Sequence, residues 1–280
     1  MAAMIDFNGT PACRLTLPDG SAAVIARKGA QLLSWNPRGK GERIYLSPLA
    51  DPAQDRPVRG GVPVIFPQFA GMGPLPRHGF ARTAQWQLDD IRQAPDGAYT
   101  SATFSLEDDE TSRTIWPHAF CTELTLCISD NRLDMELEVR NTGNTAFAFT
   151  AALHTYLKVQ ELEECHLTGL YGASYTDRIS GQQALDRAPE LTVEDEIDRI
   201  YHALGRPLLL SEAKRALAIH QEGFPDVVIW NPWEHKCAAL DDMPAKGFRH
   251  MLCIEAAAVT QAVELPPGAN WFGRQSLICL

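Results

Sequence analysis

Arg132-Leu-Asp-Met-Glu-Leu-Glu-Val-Arg140 decides the fold class, because Leu133, Met135, Leu137 and Val139 alternate with Asp134, Glu136 and Glu138. Successive strand side chains point to opposite sides, so two-residue periodicity marks a strand with one face on a core and the other in water. Asn141-Thr-Gly-Asn144 supplies residues that tolerate positive φ, and the apolar-rich run Ala146 to Val159 follows directly. Together these predict a β-hairpin.

Outward from that stretch the same grammar recurs. The 20 glycines and 19 prolines are spread along 280 residues and separate short runs of strand character. Further strands are predicted at Leu15 to Leu17, Ala22 to Ala26, Gln31 to Trp35, Val62 to Phe66, Trp86 to Leu88 and Tyr99 to Leu106. Thr122 to Ile128, Val227 to Trp230, Met251 to Ala257 and Trp271 to Cys279 complete the set. Helical spacing is scarce. Thr192 to Leu204 carries its best instance, with Ile197, Ile200, Tyr201 and Leu204 on one face, Thr192 as a cap and Gly205 at the end. No repeat or Gly/Ser/Pro-rich linker divides the chain, so residues 1–280 are expected to form a single all-β domain.

Composition narrows the function. The net charge is −10 and no block of Lys and Arg occurs, which argues against nucleic acid and anionic membranes as partners and makes any anion site a local one. Seven cysteines, at 13, 121, 127, 165, 237, 253 and 279, form an odd set with no CxxC and lie mostly in apolar runs, as reduced thiols do. With no signal-peptide pattern and no membrane-length apolar segment, a cytoplasmic protein is expected. The eight histidines show no HxH or HExxH spacing, and no GxGxxG or GxxxxGK is present, so neither a metal nor a nucleotide cofactor is expected.

Three features carry chemistry. Along Ala146 to Leu157 one face bears Phe147, Phe149, Ala151 and Leu153, and the other bears small Ala148, Thr150 and Ala152 before His154. This suits either a ligand resting above the sheet against one imidazole or a core histidine under a close second layer. In Met251-Leu-Cys-Ile-Glu-Ala-Ala-Ala-Val259 a single carboxyl, Glu255, sits among apolar residues on both faces. It needs a partner, a raised pKa or both, whether as a functional group or as a structural ion pair. Residues 56 to 82, RPVRGGVPVIFPQFAGMGPLPRHGFAR, put arginines in an otherwise apolar setting. Arg59, Arg77 and Arg82 offer planar forks for phosphate or carboxylate, and Gly60 and Gly61 would let backbone approach a ligand. The alternative is surface pairing with the excess of Asp and Glu.

RGGVPVIFPQF at 59–69, LPRHGFAR at 75–82, ALHTYLKV at 152–159, and WNP, DMP and CIEAA between 230 and 257 resemble the glucose-6-phosphate 1-epimerases, or hexose-6-phosphate mutarotases, of the aldose 1-epimerase superfamily. The resemblance implies a galactose-mutarotase-like β-supersandwich with few short helices, acting on a small sugar phosphate without metal or organic cofactor, and a monomer is expected. It implies His154 and Glu255 as the catalytic pair, and Arg59, His78, Arg82 and Asp177, the last in Tyr175-Thr-Asp-Arg178, as substrate-binding residues. Where relatives carry Gln or Ala this chain has Arg77, which either adds a third cation for the phosphate or points outward. Arg178 replaces the usual lysine.

Mutarotation takes a proton from the anomeric hydroxyl and delivers one to the ring oxygen, giving an open aldehyde that recloses on its other face. An ionised Glu255 as base and a protonated His154 as acid would suffice, if the carboxylate raises the histidine's pKa.

Overall fold

The computed structural model describes residues 1–54 and 56–280; half of it is strand and 7% is helix. Every strand ladder is antiparallel. The alternating stretch forms the strand Arg132–Asn141 inside a nine-stranded sheet, paired with Phe120–Ser129 on one side and Asn270–Cys279 on the other. Its apolar face, Leu133, Met135, Leu137 and Val139, is buried in the same core cluster as Phe147, Phe149, Ala151, Leu153, Ile254 and Ala256 of an eight-stranded sheet. The fold is therefore a large β-sandwich, with a third, four-stranded sheet formed between Ala2 and Asn36.

The eight-stranded sheet is covered on its other face too. Ile65, Phe69, Ala70, Ala152, Ile200, Val228, Ala257 and Val259 make a second core cluster there. The cover comes from the arginine-rich segment, which is bound to the sheet as an edge rather than hanging as a loop. Val64–Ile65 pairs with Leu153 and Ala152, and the N–H groups of Thr150, His154 and Tyr156 donate to the carbonyls of Pro67, Pro63 and Gly61 at 2.9, 3.0 and 3.0 Å. Gly60 and Gly61 serve this packing, not a ligand. Both have positive φ, and an added Cβ would lie 2.4 Å from the Tyr45 carbonyl oxygen at Gly60 and 2.3 Å from that of Leu32 at Gly61.

Two expectations fail for physical reasons. The strands on either side of Asn141-Thr-Gly-Asn144 do not pair; Arg132–Asn141 belongs to the nine-stranded sheet and Phe147–Leu153 to the eight-stranded one. Asn141 pins the crossing, donating from Nδ2 to the Thr145 and Leu265 carbonyls at 2.9 and 2.8 Å. Turn residues announce a reversal, and five connecting residues can equally span the ~10 Å between two sheets. The true hairpin partner is Phe120–Ser129, through Asp130 at φ +43° and Asn131. The second failure is the helix at Thr192 to Leu204, where Ile197–Tyr201 is instead a strand between Ser174–Asp177 and Asp226–Asn231. Ile197 and Tyr201 join one core cluster and Ile200 the other, so burial on both faces imitates helical spacing. The helices that do form are Glu110–Ile115 and Trp233–Ala238, with short 3-10 turns at Leu162–Glu164 and Gly247–His250.

Candidate active site

Strand register assembles the site. Ile200, Val228 and Glu255 lie in one row across three adjacent strands, and Ala257 is opposite Ala152 two positions short of His154. The strand predicted from Ala146 to Val159 is broken at His154 and Thr155, so the imidazole stands at the end of Phe147–Leu153, where that strand meets the covering segment. His154 Nε2 lies 3.3 Å from Glu255 Oε1, joining two residues 101 positions apart in the chain. Tyr156 stacks on the imidazole, ring centroids 4.8 Å apart and planes 12° apart, and Trp230 meets both rings edge-on.

The pair opens into a cavity of about 340 Å³ whose walls include Arg56, Arg59, Arg77, Arg82, Arg178 and Lys236 against, among the described residues, the acids Asp198, Asp242 and Glu255. A protein of net charge −10 thus concentrates positive charge at one place. Most of these cations are committed. Arg59 donates from Nε to Asp242 at 3.0 Å and from NH1 to the Tyr156 hydroxyl at 3.2 Å. Arg178 stands 3.6 Å from Asp198, Lys236 pairs with Glu196, and Arg56 with Asp241. Among the described residues Arg77 and Arg82 have no carboxylate within reach. Arg82 donates to the Arg77 carbonyl at 2.8 Å, and its buried Nε has no partner.

His154 Nδ1 and Glu255 Oε2 are likewise buried without partners. Unsatisfied polar atoms are rare in a native interior, and these three belong to residues that line one cavity. The protonation state follows from burial. Glu255 is 1% exposed, and desolvation, then the charge of Asp198, pushes its carboxyl well above the ordinary range despite Arg178. Desolvation, then the charges of Arg59 and Arg82, pushes His154 down to about 3. The sequence-based expectation that a neighbouring carboxylate raises this histidine is not met, because burial and the two arginine charges outweigh it. Both shifts favour the neutral forms, an imidazole beside a carboxylic acid, which together hold one labile proton.

His78 lines the same cavity in a strained left-handed conformation at φ +66°, with its ring centroid 5.6 Å from that of His154. Burial, then the charges of His154, Arg82, Arg77 and Arg178, pushes it down to about 2, and its Nδ1 accepts from the Ala70 N–H at 3.3 Å. The imidazole is therefore neutral with its proton on Nε2. Asp177 does not line the cavity; its Oδ1 takes the N–H groups of Ile179 and Ser180 at 2.8 and 3.1 Å in a turn. Its neighbours Arg178 and Asp198 reach the cavity instead. Asp198 is hidden from sequence by the helical reading of its segment. Tyr156, two positions beyond His154, is not given by strand alternation, because the strand is broken between Leu153 and Tyr156. Were a cation bound, the ligand atoms of His154, Cys253 and Glu255, all within 4.8 Å of one another, would hold it. The His154–Glu255 edge, at 3.3 Å, falls within the ~3.3–3.8 Å between neighbouring ligands of a tetrahedral ion with bonds of about 2.0–2.3 Å.

A family model for aldose 1-epimerase matches residues 11–277. The chain belongs to the aldose 1-epimerase family. It is 33% identical over 264 residues to a Cenchrus ciliaris protein named "Putative glucose-6-phosphate 1-epimerase", covering 91% of this chain and 80% of that one. An Escherichia coli protein of the same name is 32% identical over 244 residues, covering 85% and 80%. The crystal structure of a "putative mutarotase" from Salmonella typhimurium superposes with a TM-score of 0.91 at 26% identity, over 99% of this chain and 93% of that one. As an aldose 1-epimerase this enzyme interconverts the anomers of an aldose. No helix among the described residues is long and apolar enough to cross a membrane.

Proposed function

We propose that the substrate is an aldohexose 6-phosphate, with glucose 6-phosphate the first to test, and that His154 and Glu255 carry the proton transfers. The supporting observation is a one-proton acid/base pair set in the wall of a cavity where Arg77 and Arg82 lack carboxylate partners. A phosphate dianion supplies those partners, and the planar forks of arginine suit its oxygens. Arg59 adds a third cation, and His78 and Asp198 offer a donor and an acceptor to sugar hydroxyls.

Anomer exchange leaves the number of protons on the catalytic pair unchanged, since one is accepted from the anomeric hydroxyl and one returned to the ring oxygen. A single labile proton is therefore sufficient for both directions. At rest that proton sits on Glu255. Phosphate cancels the arginine field on His154, and a unit charge about 6 Å away is worth about 3 kcal/mol at an effective dielectric of ~20, or about two pKa units. The proton can then pass to His154. The Glu255 carboxylate takes the proton of the anomeric hydroxyl and His154 protonates the ring oxygen; on reclosure the roles reverse. Each group contributes roughly 10²–10⁴-fold.

The test is anomer exchange on α-glucose 6-phosphate followed by NMR, for wild type, Glu255→Gln and His154→Asn. Unchanged exchange in either variant would remove that residue from the mechanism. Faster exchange of glucose than of glucose 6-phosphate would move the substrate to unphosphorylated aldoses.

A further inference from the structure

The anion-binding wall and the acid/base pair are joined by a continuous chain of contacts. Asp242 holds the Nε of Arg59 at 3.0 Å, and the same guanidinium donates from NH1 to the hydroxyl of Tyr156 at 3.2 Å. The Tyr156 ring lies flat on His154, and Trp230 closes against both rings edge-on. Tyr156 is buried and fixed in the sheet by pairing with Cys253, two residues before Glu255 on the adjoining strand. At the far end of the chain of contacts, the 3.3 Å separation of His154 and Glu255 is longer than the ~2.7–2.9 Å of a formed charge-assisted hydrogen bond. In the free protein the two groups face each other without a short hydrogen bond.

Resting on the sugar-phosphate reading, we propose that Tyr156 is a positioning residue through which occupancy of the arginine site by a phosphate dianion, attached to the sugar or not, tightens and activates the His154–Glu255 pair. An anion on Arg59 redirects the guanidinium whose NH1 now holds the tyrosine hydroxyl. The tyrosine ring cannot shift without moving the imidazole stacked on it. Part of the phosphate's binding energy is thereby expressed in the transition state for ring opening rather than in binding alone, which is the condition for raising kcat. Phosphate serves as an activator as well as a handle, and Tyr156, stacked on His154, sets how strongly that activation is felt.

The experiment splits the substrate into two pieces. Anomer exchange of glucose is followed by NMR with wild type and Tyr156→Phe, with and without inorganic phosphite, after subtracting the exchange that phosphite causes without enzyme. The readout is the ratio of rates with and without phosphite, which is independent of any loss in the basal rate. A hydrogen bond to a charged donor corresponds to roughly tenfold or more in rate, so phosphite should raise the wild-type rate about tenfold and the Tyr156→Phe rate less than about threefold. Thermal unfolding establishes that the variant is folded, and Asp242→Asn, which frees Arg59 without touching the tyrosine, should show the same reduced ratio. Full activation in folded Tyr156→Phe would overturn the role of Tyr156. No activation of wild type, with glucose 6-phosphate still exchanged faster than glucose, would overturn the coupling and leave the sugar-phosphate reading standing. Failure on glucose 6-phosphate itself would overturn that reading.

Discussion

Replacing Glu255 with glutamine should change stability and activity in opposite senses, by amounts that follow from where the pair's proton sits. Folded, His154 and Glu255 share one labile proton, held on the carboxyl because burial keeps both groups neutral. Unfolded, between about pH 4.3 and 6.5 the two residues also hold one, on the histidine. Stability changes with pH only where the two states bind different numbers of protons, so the wild-type pair adds almost no slope in that window. Its separate contributions cancel. Glu255, with a raised folded pKa, contributes stability that is full below about pH 4.3 and lost as pH rises; His154, with a depressed one, contributes stability present above about 6.5 and lost as pH falls toward 3. Glutamine removes the first and leaves the second. Relative to wild type the variant should gain stability as pH rises through that window, by up to about 1.36 kcal/mol per pH unit. Glu255 is 1% exposed, so solvent screening does not reduce the figure. Urea unfolding at pH 5, 6 and 7 measures the slope, while exchange on the sugar phosphate should fall about 10²–10⁴-fold. Parallel stability curves for the two proteins would mean that Glu255 is ionised at rest, and the protonation scheme would fail.

Other substitutions probe the remaining parts. His154→Asn should give the mirror image, a stability that declines above about pH 4.3 relative to wild type, with exchange reduced about 10²–10⁴-fold. Arg82→Ala removes a cation without a carboxylate partner and should lower kcat/KM for glucose 6-phosphate by roughly 10–150-fold, the value of a hydrogen bond to a charged group, while altering glucose exchange less than about threefold. Equal losses on both sugars would show that Arg82 does not recognise the phosphate. Gly60→Ala places a methyl 2.4 Å from the Tyr45 carbonyl at φ +104° and should cost at least about 2 kcal/mol in urea unfolding, whether or not sugar is present.

The fold class was legible because water on one face leaves an alternating trace, and strands such as Arg132–Asn141 and Phe120–Ser129 keep it. Pairing was less so. Asn141-Thr-Gly-Asn144 reads as a hairpin turn, but the two strands face one core from different sheets, and the sheet that takes Phe147 and Phe149 is set by distant partners, Leu265 and Val263. The strands Leu208–Glu212 and Arg215–Glu222 went unmarked, since their apolar residues are interrupted by Ser211, Arg215 and His220. His154, Glu255 and the arginines stood out for contradicting their surroundings, a polar group in an apolar run. Asp198 and Tyr156 did not contradict theirs, being one polar residue among several and one aromatic in a strand, and only the folded sheet gives them a position. Asp177 shows the converse: its carboxylate is consumed by the turn, and its neighbour Arg178 faces the cavity.

Burial on both faces connects the misread helix to the chemistry. A strand solvated on one side alternates, whereas one covered on both must be apolar throughout or carry polar groups that have a use. Ile197–Tyr201, Asp226–Asn231 and the buried part of Met251–Leu265, residues 251–259, are covered by the nine-stranded sheet on one side and the arginine-rich segment on the other. That double cover disguises the first of them as a helix. It also strips water from Glu255 and His154, and desolvation is the leading cause of both their displaced pKa values. A half-solvated sheet would leave the carboxyl ionised and the histidine near its ordinary value, with no reason to share one proton. The covering segment cannot then be regarded as a substrate clamp laid over a finished site. By closing the sheet with Val64–Ile65 and the carbonyls of Gly61, Pro63 and Pro67, it creates the dielectric in which the pair works, and it brings the arginines along on the same stretch of chain.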